Sequence, residues 1–525
     1  MSPMMKPAPL RTLTALTLAV TGTANAQEIG IDLHRPTVKR SQMPSFSIGS
    51  DRAKIFLRDE HQRDLVALQA VAKFRYLRCH GIFNEEMNIA TRQADGSLRF
   101  DWTNVDRFID QLKAAKLRPF VECGFIPEAL ASGTQTIFWW KGNVTPPKSQ
   151  AEWATLIEAF ARHEIAQRGL AEVRQWYFEV WNEPNLSGFW TGGKDGYFQL
   201  YATTARALKT VDLKLRVGGP STAGMGWIPD LLNYCKQNNV PIDFISSHSY
   251  AATQGFLDEH GKGGGTVLVT SPETLVAEFT RAREDIRQSA FPNLPLFISE
   301  WGPSYSPRDP IHDSYVCAPF ILEKLKHCEG LVDGMSYWAF SDQFEEPGPP
   351  HEPFHGGFGL MNVDGLRKPA FFAYQFLAEL YDAEVPADSP RVMVTKEGSR
   401  VRVLLWDYSP PKADAPNNPF YTRDLPATEL PEAVLSFHGL KPGVYRASEV
   451  GTGWNRNDVY DAYVALGKPA GQEAHLPSEI LAKLRQASSG EAEALPDIVV
   501  ARDGEATVRL PMRTNDVWLL SLEKK

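Results

Sequence analysis

The sequence contains few cysteines, and their arrangement excludes two kinds of small, cross-linked domain. Five cysteines are spread over 525 residues, at positions 79, 123, 235, 317 and 328. Their odd number and wide spacing exclude a disulfide framework, and no Cys-x-x-Cys pair indicates a zinc site. Cys79 and Cys123 fall at the ends of apolar, strand-like runs. We therefore expect these thiols to pack as small buried apolar groups.

Basic clusters are also lacking. The chain has 55 Lys and Arg against 63 Asp and Glu, a formal net charge of −8 at pH 7. Non-specific binding to a phosphate backbone needs basic clusters, so nucleic acid is excluded as a partner. Hydrophobic residues make up 43% of the chain and aromatic residues 11%, which is enough for a large core and excludes disorder as its main state.

The sequence has no apolar run long enough to cross a membrane. An apolar stretch at residues 13–20 follows a short positive start with Lys6 and Arg11 and precedes the small residues Ala24-Asn25-Ala26. A membrane helix needs about 20 apolar residues, whereas this order of three parts is typical of a secretory signal peptide. We expect residues 1–26 to be removed and the mature protein to be periplasmic or secreted, with no membrane partner.

Short apolar runs alternate with helical periodicity between residues 45 and 380. Eight runs predict strands, at 46–49, 76–78, 119–123, 176–181, 216–219, 244–250, 296–300 and 334–338. Between them lie amphipathic segments, such as the one in which Val105, Phe108, Ile109 and Leu112 share a helix face. Strand–helix alternation implies parallel strands with crossover helices, and eight units fit an α/β fold of the (β/α)8 TIM barrel type.

The pattern changes after residue 380. Pro386 and Pro390 interrupt helical continuity, and strands are predicted at 401–406, 434–437, 444–446, 507–510 and 517–522. These short strands predict a smaller β-sandwich domain over 381–525, with residues 27–44 as a segment that could join it. Residues 476–497 combine helix-prone and Ser/Gly/Ala/Glu-rich sequence, so we expect a solvated insertion there.

Two glutamates close buried strands. Glu183 lies in the segment YFEVWNEPNLSGFW, where Pro184 ends the fourth predicted strand, and Glu300 lies in LFISEWGPSY at the end of the seventh. Carboxylates at such positions point into a barrel's active site or pair with buried cations. Two carboxylates that face each other across the mouth suit glycosidic bond cleavage, in which one donates a proton and the other attacks as an anion.

The wider sequence resembles glycoside hydrolase family 39, and most closely its β-xylosidases. The motifs that carry the resemblance cover most of residues 46–380; they include HGIFNEEM (80–87), ECGFIPEALASG (122–133), WWKGNVTPPKS (139–149), EVWNEPNLSGFW (179–190), DFISSHSY (243–250) and FISEWGPSY (297–305). The resemblance implies that Glu183 is the general acid/base and Glu300 the nucleophile. It also implies a set of substrate-binding residues, namely His80, Trp139, Asn182, His248, Tyr250, Trp338, Glu345 and Glu346.

Several of these residues keep a second interpretation. His80 and His248 could be core histidines, and Glu345-Glu346 could be a solvated loop pair. One of Trp139 and Trp140 is expected to be core, and the sequence does not indicate which one lines the site. Tyr250 could donate a hydrogen bond to Glu300 and lower its pKa.

The function that follows is that of a retaining exo-β-D-xylosidase acting on oligosaccharides by double displacement. Alternatives in the same family are a β-galactosidase, an α-L-arabinosidase or an endo-glycanase. An α-L-iduronidase is disfavoured because Glu345 and Glu346 would repel an acidic sugar, and a non-catalytic carbohydrate-binding protein is the alternative from another class. No cofactor or metal is implied, because prolines interrupt the HExxH pattern at residues 351–355 and exclude a zinc-binding helix there. The oligomeric state stays open.

Overall fold

Eight parallel strands close into a barrel. The computed structural model describes residues 27–253, 265–470 and 474–525, so the predicted signal peptide lies outside the described residues. The barrel strands are β1 (Ser47–Arg52), β2 (Tyr76–His80), β3 (Arg118–Cys123), β4 (Tyr177–Val180), β5 (Arg216–Ala223), β6 (Phe244–Tyr250), β7 (Leu296–Gly302) and β8 (Gly334–Tyr337), and β8 pairs with β1 to complete the ring. Each coincides with one of the eight predicted runs, and the barrel prediction is confirmed.

One long helix follows each barrel strand. The helices are α1 (Asp59–Ala72), α2 (Thr103–Ala114), α3 (Gln150–Arg168), α4 (Gly193–Val211), α5 (Ile228–Asn238), α6 (Thr274–Gln288), α7 (Cys317–His327) and α8 (Pro369–Glu379). The apolar face predicted for α2 is buried against the barrel. Helix α3 begins after Ser149, whose hydroxyl accepts the backbone N–H of Glu152 at 3.3 Å and so satisfies one of the unpaired donors of the first turn.

Short elements occupy the loops. They are the strand pairs Ala90–Arg92 with Leu98–Phe100, Thr136–Ile137 with Gly142–Asn143, and Ala252–Thr253 with Val267–Leu268, the 3-10 helices Met43–Ser45, Ala53–Leu57, Glu85–Met87 and Pro310–Asp313, and the short helices Leu170–Val173, Asn417–Tyr421 and Val459–Ala465.

Aromatic rings fill the amino-terminal end of the barrel. Phe46, Tyr76, Phe120, Phe244 and Phe297 form one buried cluster, in which Phe46 and Phe297 stack with their ring centroids 4.5 Å apart. These rings come from the first residues of their strands or from just before them. Because they fill this end, the carboxyl ends of the strands are where a barrel of this kind holds its active site.

The second domain is a sandwich of two sheets. A three-stranded sheet has the order Gln27–Asp32, Glu429–His438, Ala506–Arg513, and a seven-stranded sheet has the order Val38–Lys39, Ala383–Val385, Val392–Glu397, Arg400–Trp406, Val517–Lys524, Gly443–Thr452, Glu493–Val500. Alternate apolar residues of the two sheets, including Val403, Leu435 and Leu520, pack into a core of their own. Residues 27–39 thus supply one strand to each sheet.

The expectation of a solvated insertion at 476–497 is wrong for its second half. Ser478–Ala487 is a helix, but Glu493–Val500 is the edge strand of the seven-stranded sheet and pairs antiparallel with Gly443–Thr452. Most residues of this strand are exposed. It therefore lacks the buried alternation from which a strand is predicted, and its position depends on its partner strand.

The described residues contain no disulfide bond and no helix suited to cross a membrane. All five cysteines are free and buried, as expected from their apolar surroundings. In the residues that the structure describes, no helix combines the length and the apolar character that crossing a membrane requires.

Candidate active site

Glu183 and Glu300 lie together at the carboxyl ends of β4 and β7. One carboxylate oxygen of each, together with a ring nitrogen of His248, falls within a group whose members all lie within 4.8 Å of one another. Glu183 has a φ of 45°, in the left-handed region that only a few per cent of non-glycine residues adopt, and its backbone N–H donates to the Ser221 carbonyl at 2.8 Å. The fold therefore brings the two predicted catalytic acids to one point.

His248 and Tyr250 reach the acids from β6. They are two residues apart on the strand, so both side chains point into the barrel, and the strand register places His248 beside Glu300. The His248 Nδ1 lies 2.9 Å from Oε1 of Glu183 and 3.5 Å from Oε2 of Glu300. The Tyr250 hydroxyl donates to Oε2 of Glu300 at 2.9 Å. His248 is therefore a site residue and not an isolated core histidine.

Arg78 holds the other side of Glu300. Its guanidinium is fully buried at the centre of β2 and donates to Oε1 of Glu300 at 2.7 Å, to Oε2 of Glu179 at 2.6 Å and to Oδ1 of Asn182 at 2.9 Å. The same group lies 3.1 Å from a carboxylate oxygen of Glu122. The sequence analysis did not select Arg78, Glu122 or Glu179. The sequence feature that could have identified these three residues is that each is charged and lies inside a run predicted to be a fully buried strand.

Glu300 is held as an anion. Burial alone would raise its pKa, but the electrostatic interactions with His248, Arg78 and His80 and the hydrogen bond from Tyr250 together hold the pKa of Glu300 below its ordinary value. A carboxylate that stays ionised inside a protein is ready to attack an electrophilic carbon. This is the protonation state that a nucleophile requires.

His80 joins two further carboxylates. Its Nδ1 lies 2.6 Å from Glu122 and its Nε2 lies 3.0 Å from Glu346. Burial lowers the pKa of His80, but these two carboxylates outweigh it and raise the pKa well above its ordinary value. Burial also raises the pKa of Glu346, to about 7. At neutral pH His80 therefore carries a positive charge and donates from both ring nitrogens, whereas Glu346 lies close to its own pKa.

Trp338 packs against His80 and Arg78. It follows β8, is 2% exposed, and its ring centroid lies 4.8 Å from that of His80. The Arg78 guanidinium lies 5.7 Å from the same ring, a cation–π contact. Gly49 of β1 makes room for it, because a Cβ at this position would come within 2.3 Å of the indole.

A cavity of about 870 Å³ opens beside Glu183, and its lining includes His248 and Tyr250, the residues of β6 that contact Glu300. Its walls are largely apolar and aromatic, with Phe138, Phe189 and Tyr305 among them, and Glu183, His248, Tyr250, Glu278 and Glu346 supply polar groups. Its described lining includes no Lys or Arg. Apolar walls with a few converging polar groups are typical of a small-molecule site.

The structure does not bring Glu345 or Trp139 into this cavity. Glu345 is 4% exposed, and both of its oxygens are occupied by guanidinium groups, from Arg52 at 2.8 Å and from Arg58 at 2.6 and 3.0 Å. Adjacent residues of an extended loop point in opposite directions, so only Glu346 of the doublet faces the site. Trp139 is 55% exposed in a separate hollow, whereas Trp140 is buried against Phe125.

Two side-chain groups in the described residues have metal-binding spacing. The first is Glu183, His248 and Glu300, where Arg78 and Tyr250 already hold both oxygens of Glu300. The second is Asp106, His163 and Glu164, where Arg168 contacts both carboxylates. In each group an arginine of the protein already pairs with at least one of the carboxylates. The HExxH segment at 351–355 forms no helix.

The fold and the site define a class of protein. Two carboxylates at the ends of the fourth and seventh strands of a (β/α)8 barrel, with one oxygen of each within 4.8 Å of the other, have the arrangement of the catalytic pair in retaining glycoside hydrolases. The model of one such family, described as glycosyl hydrolases family 39, matches residues 27–407. The chain belongs to glycosyl hydrolases family 39.

Individual relatives agree with this assignment. The chain is 41% identical over 368 residues to a β-xylosidase of Geobacillus stearothermophilus, covering 69% of this chain and 73% of that protein. The crystal structure of the family 39 enzyme of Xanthomonas axonopodis pv. citri superposes with a TM-score of 0.92 at 44% identity, covering 97% of this chain and all of the other. A monomeric β-xylosidase of Caulobacter crescentus superposes with a TM-score of 0.90 at 43% identity, covering 95% of this chain and all of the other.

Proposed function

We propose that the protein is an exo-β-D-xylosidase that releases xylose from the non-reducing ends of xylo-oligosaccharides with retention of configuration. The observation that carries the proposal is the separation of Glu183 and Glu300, whose oxygens lie within 4.8 Å of each other. Carboxyl groups about 5–5.5 Å apart leave room for the anomeric carbon but not for an additional attacking water. The choice of sugar is supported by the β-xylosidases that share 41% and 45% identity with this chain.

In the first step Glu300 attacks the anomeric carbon. A bond forms between a carboxylate oxygen and that carbon while the glycosidic bond breaks, and Glu183 gives its proton to the departing oxygen. Arg78 and Tyr250 hold the two oxygens of Glu300 in place and keep the carboxylate anionic before the attack. Because Arg78 and Tyr250 are already in position, they need not reorganise when Glu300 loses its negative charge on forming the covalent bond.

In the second step a water molecule replaces the leaving group. Glu183, now a carboxylate, takes a proton from this water, whose oxygen attacks the anomeric carbon and releases Glu300. Two inversions at one carbon give net retention. His248 contacts Glu183 at 2.9 Å and orients its carboxylate for both proton transfers.

The surrounding residues suit a terminal, neutral sugar. Asn182 accepts from Arg78 through Oδ1, which directs its amide NH2 toward a sugar hydroxyl. His80 lies 3.9 Å from Glu300 and packs with Trp338 and Glu346, and this closed end of the site supports exo action. No Lys or Arg of the described residues lines the cavity, so a uronic acid would lack a cation partner.

Hydrolysis of p-nitrophenyl glycosides tests the proposal. We expect the highest kcat/KM for the β-D-xyloside, lower values for the α-L-arabinoside and β-D-galactoside, and no release from the α-L-iduronide. NMR of the first product in D2O should show the β-anomer of xylose before mutarotation. An α-anomer would contradict retention, and no release from any glycoside would favour a carbohydrate-binding protein.

We further propose that residues 1–26 direct export. The order of positive, apolar and small residues in this segment supports the proposal. Expression of the full chain in a Gram-negative host should place the mature protein in the periplasm or the medium, with Gln27 as its first residue. A protein that stays in the cytosol and retains residues 1–26 would contradict the proposed export.

A further inference from the structure

A second hollow, of about 790 Å³, lies beside the active-site cavity. Pro347 lines both spaces, Glu346 lines the active site and Glu345 lines the hollow, so residues 345–347 form the wall between them. We propose that this hollow is a second saccharide-binding site, which holds a sugar ring of another oligosaccharide against Trp139. The proposal rests on the proposed function for the chemical class of the ligand.

Trp139 has the properties of a stacking platform. Its side chain is 55% exposed although it is the largest apolar group in the hollow. Its position is fixed, because its backbone N–H donates to the Glu346 carbonyl at 2.8 Å and its pyrrole ring rests on Gly348, where a Cβ would lie 3.3 Å from the indole. Gly348 has a φ of +95°, a backbone conformation that favours glycine over residues with a side chain. A fixed, exposed indole loses little entropy when an apolar ring face covers it.

Gln343 supplies an unsatisfied polar group to the same hollow. Its side chain is 8% exposed and its amide nitrogen donates to Asp64 at 3.0 Å, but its amide oxygen accepts no hydrogen bond from the described residues. A buried acceptor without a donor costs free energy, and a ligand hydroxyl would remove that cost. The hollow therefore offers an aromatic face, and its wall contains Gln343, whose amide oxygen has no donor among the described residues.

The charges of the hollow favour a neutral ligand. Arg58, at 42% side-chain exposure, is paired with Glu345, and Glu60 lies on the first turn of α1 beside it. This one cation faces two carboxylates, so an acidic ligand gains no net attraction from the charged groups of the hollow. Their outward edges can still exchange hydrogen bonds with hydroxyl groups.

Calorimetric titration with xylotetraose tests the inference. The Glu300→Gln protein is used so that the ligand is not hydrolysed, and we expect two binding events, one in the active-site cavity and one in the hollow. Adding Trp139→Ala should weaken the second event by about tenfold or more and leave the first unchanged, the loss expected for one aromatic platform. Trp139→Phe, which keeps a ring, should retain part of the second event.

Control variants make the outcome decisive. Val499→Ala removes another exposed apolar side chain, at 75% exposure on the sandwich, and should leave both binding events intact. Melting temperatures within about 2 °C of each other would show that all variants are folded. A single binding event in the Glu300→Gln protein, or two that Trp139→Ala does not change, overturns the second site without affecting the proposed function. No binding at all would overturn both.

Discussion

The Tyr250 hydroxyl donates to Oε2 of Glu300 at 2.9 Å, on the oxygen opposite the one that Arg78 holds. This hydrogen bond stabilises the ionised form of Glu300 and contributes to its lowered pKa. Tyr250→Phe removes the donor, so the pKa of Glu300 should rise. Because Glu300 must be ionised to attack, the acidic limb of the kcat/KM profile should move about one unit toward higher pH.

Tyr305→Phe is the matched control for this change. Tyr305 lines the same cavity, but its hydroxyl donates to the Thr253 carbonyl at 3.3 Å. Its removal should leave the acidic limb in place. A Tyr250→Phe profile that overlays the wild-type profile, or one displaced toward lower pH, would refute the contribution of this hydrogen bond.

Replacing either proposed catalytic acid should abolish ordinary turnover, and azide should distinguish the two roles by the anomer of the glycosyl azide that forms. Glu300→Ala removes the nucleophile and should lower kcat at least about 10⁴-fold. In Glu183→Ala, azide can attack the glycosyl-enzyme, since azide needs no general base. Addition of azide should therefore restore activity toward p-nitrophenyl substrates and yield a β-glycosyl azide. Glu479→Gln, at an 82% exposed side chain, serves as the control and should behave as wild type.

The neighbouring glutamates of the loop after β8 should respond differently to the same substitution. Glu346→Gln removes a carboxylate from the active-site cavity and from its contact with His80, and should lower kcat/KM about 10- to 100-fold, the value of one charged hydrogen bond. Glu345→Gln breaks the buried pairs with Arg52 and Arg58 and should instead destabilise the fold by about 2–5 kcal/mol. Kinetics and urea unfolding of both variants measure the difference, and identical effects would contradict the placement.

The buried Asp64 should make stability depend on pH. Burial in α1 raises its pKa to about 7, so the folded state binds more protons than the unfolded state between about pH 4 and 7. Wild-type stability therefore falls as the pH rises through this window. Asp64→Asn does not titrate and can still accept from Ser341 and Gln343. Its melting temperature relative to wild type should increase from pH 5 to pH 8.

An exposed aspartate on the same helix provides the comparison. Asp59→Asn alters the first turn of α1 without changing a buried group. The difference between its melting temperature and that of wild type should stay level across the same pH range. A level difference for Asp64→Asn as well would contradict the raised pKa of Asp64.

The barrel was predictable because its strands are buried on both faces. Continuous apolar runs ended at Glu183 and Glu300, and strand order alone placed these two acids across the mouth of a closed barrel. The sandwich strand Glu493–Val500 was missed because it is an exposed edge strand whose partner, Gly443–Thr452, lies far away in the sequence. Tertiary pairing, and not local pattern, decides such a strand.

Side-chain direction in loops was the other part that the sequence could not provide. Glu345 and Glu346 are chemically identical neighbours, and which one reaches the cavity depends on where Arg52 and Arg58 lie in the folded protein. The interior charges Arg78, Glu122 and Glu179 were overlooked for a different reason. They occupy positions in buried strands where apolar residues are the rule, and only their mutual pairing makes them tolerable.

The strand Gln27–Asp32 pairs with Glu429–His438, and the whole barrel lies between these two strands in the sequence. During synthesis, the last barrel helix, Pro369–Glu379, leaves the ribosome before that partner exists. The barrel can therefore fold while the strand Gln27–Asp32 is unpaired. Its backbone hydrogen-bonding groups and its apolar face are then exposed. A nascent chain stalled just after the barrel is complete would therefore expose the backbone groups and the apolar face of this strand, which is a hazard for aggregation.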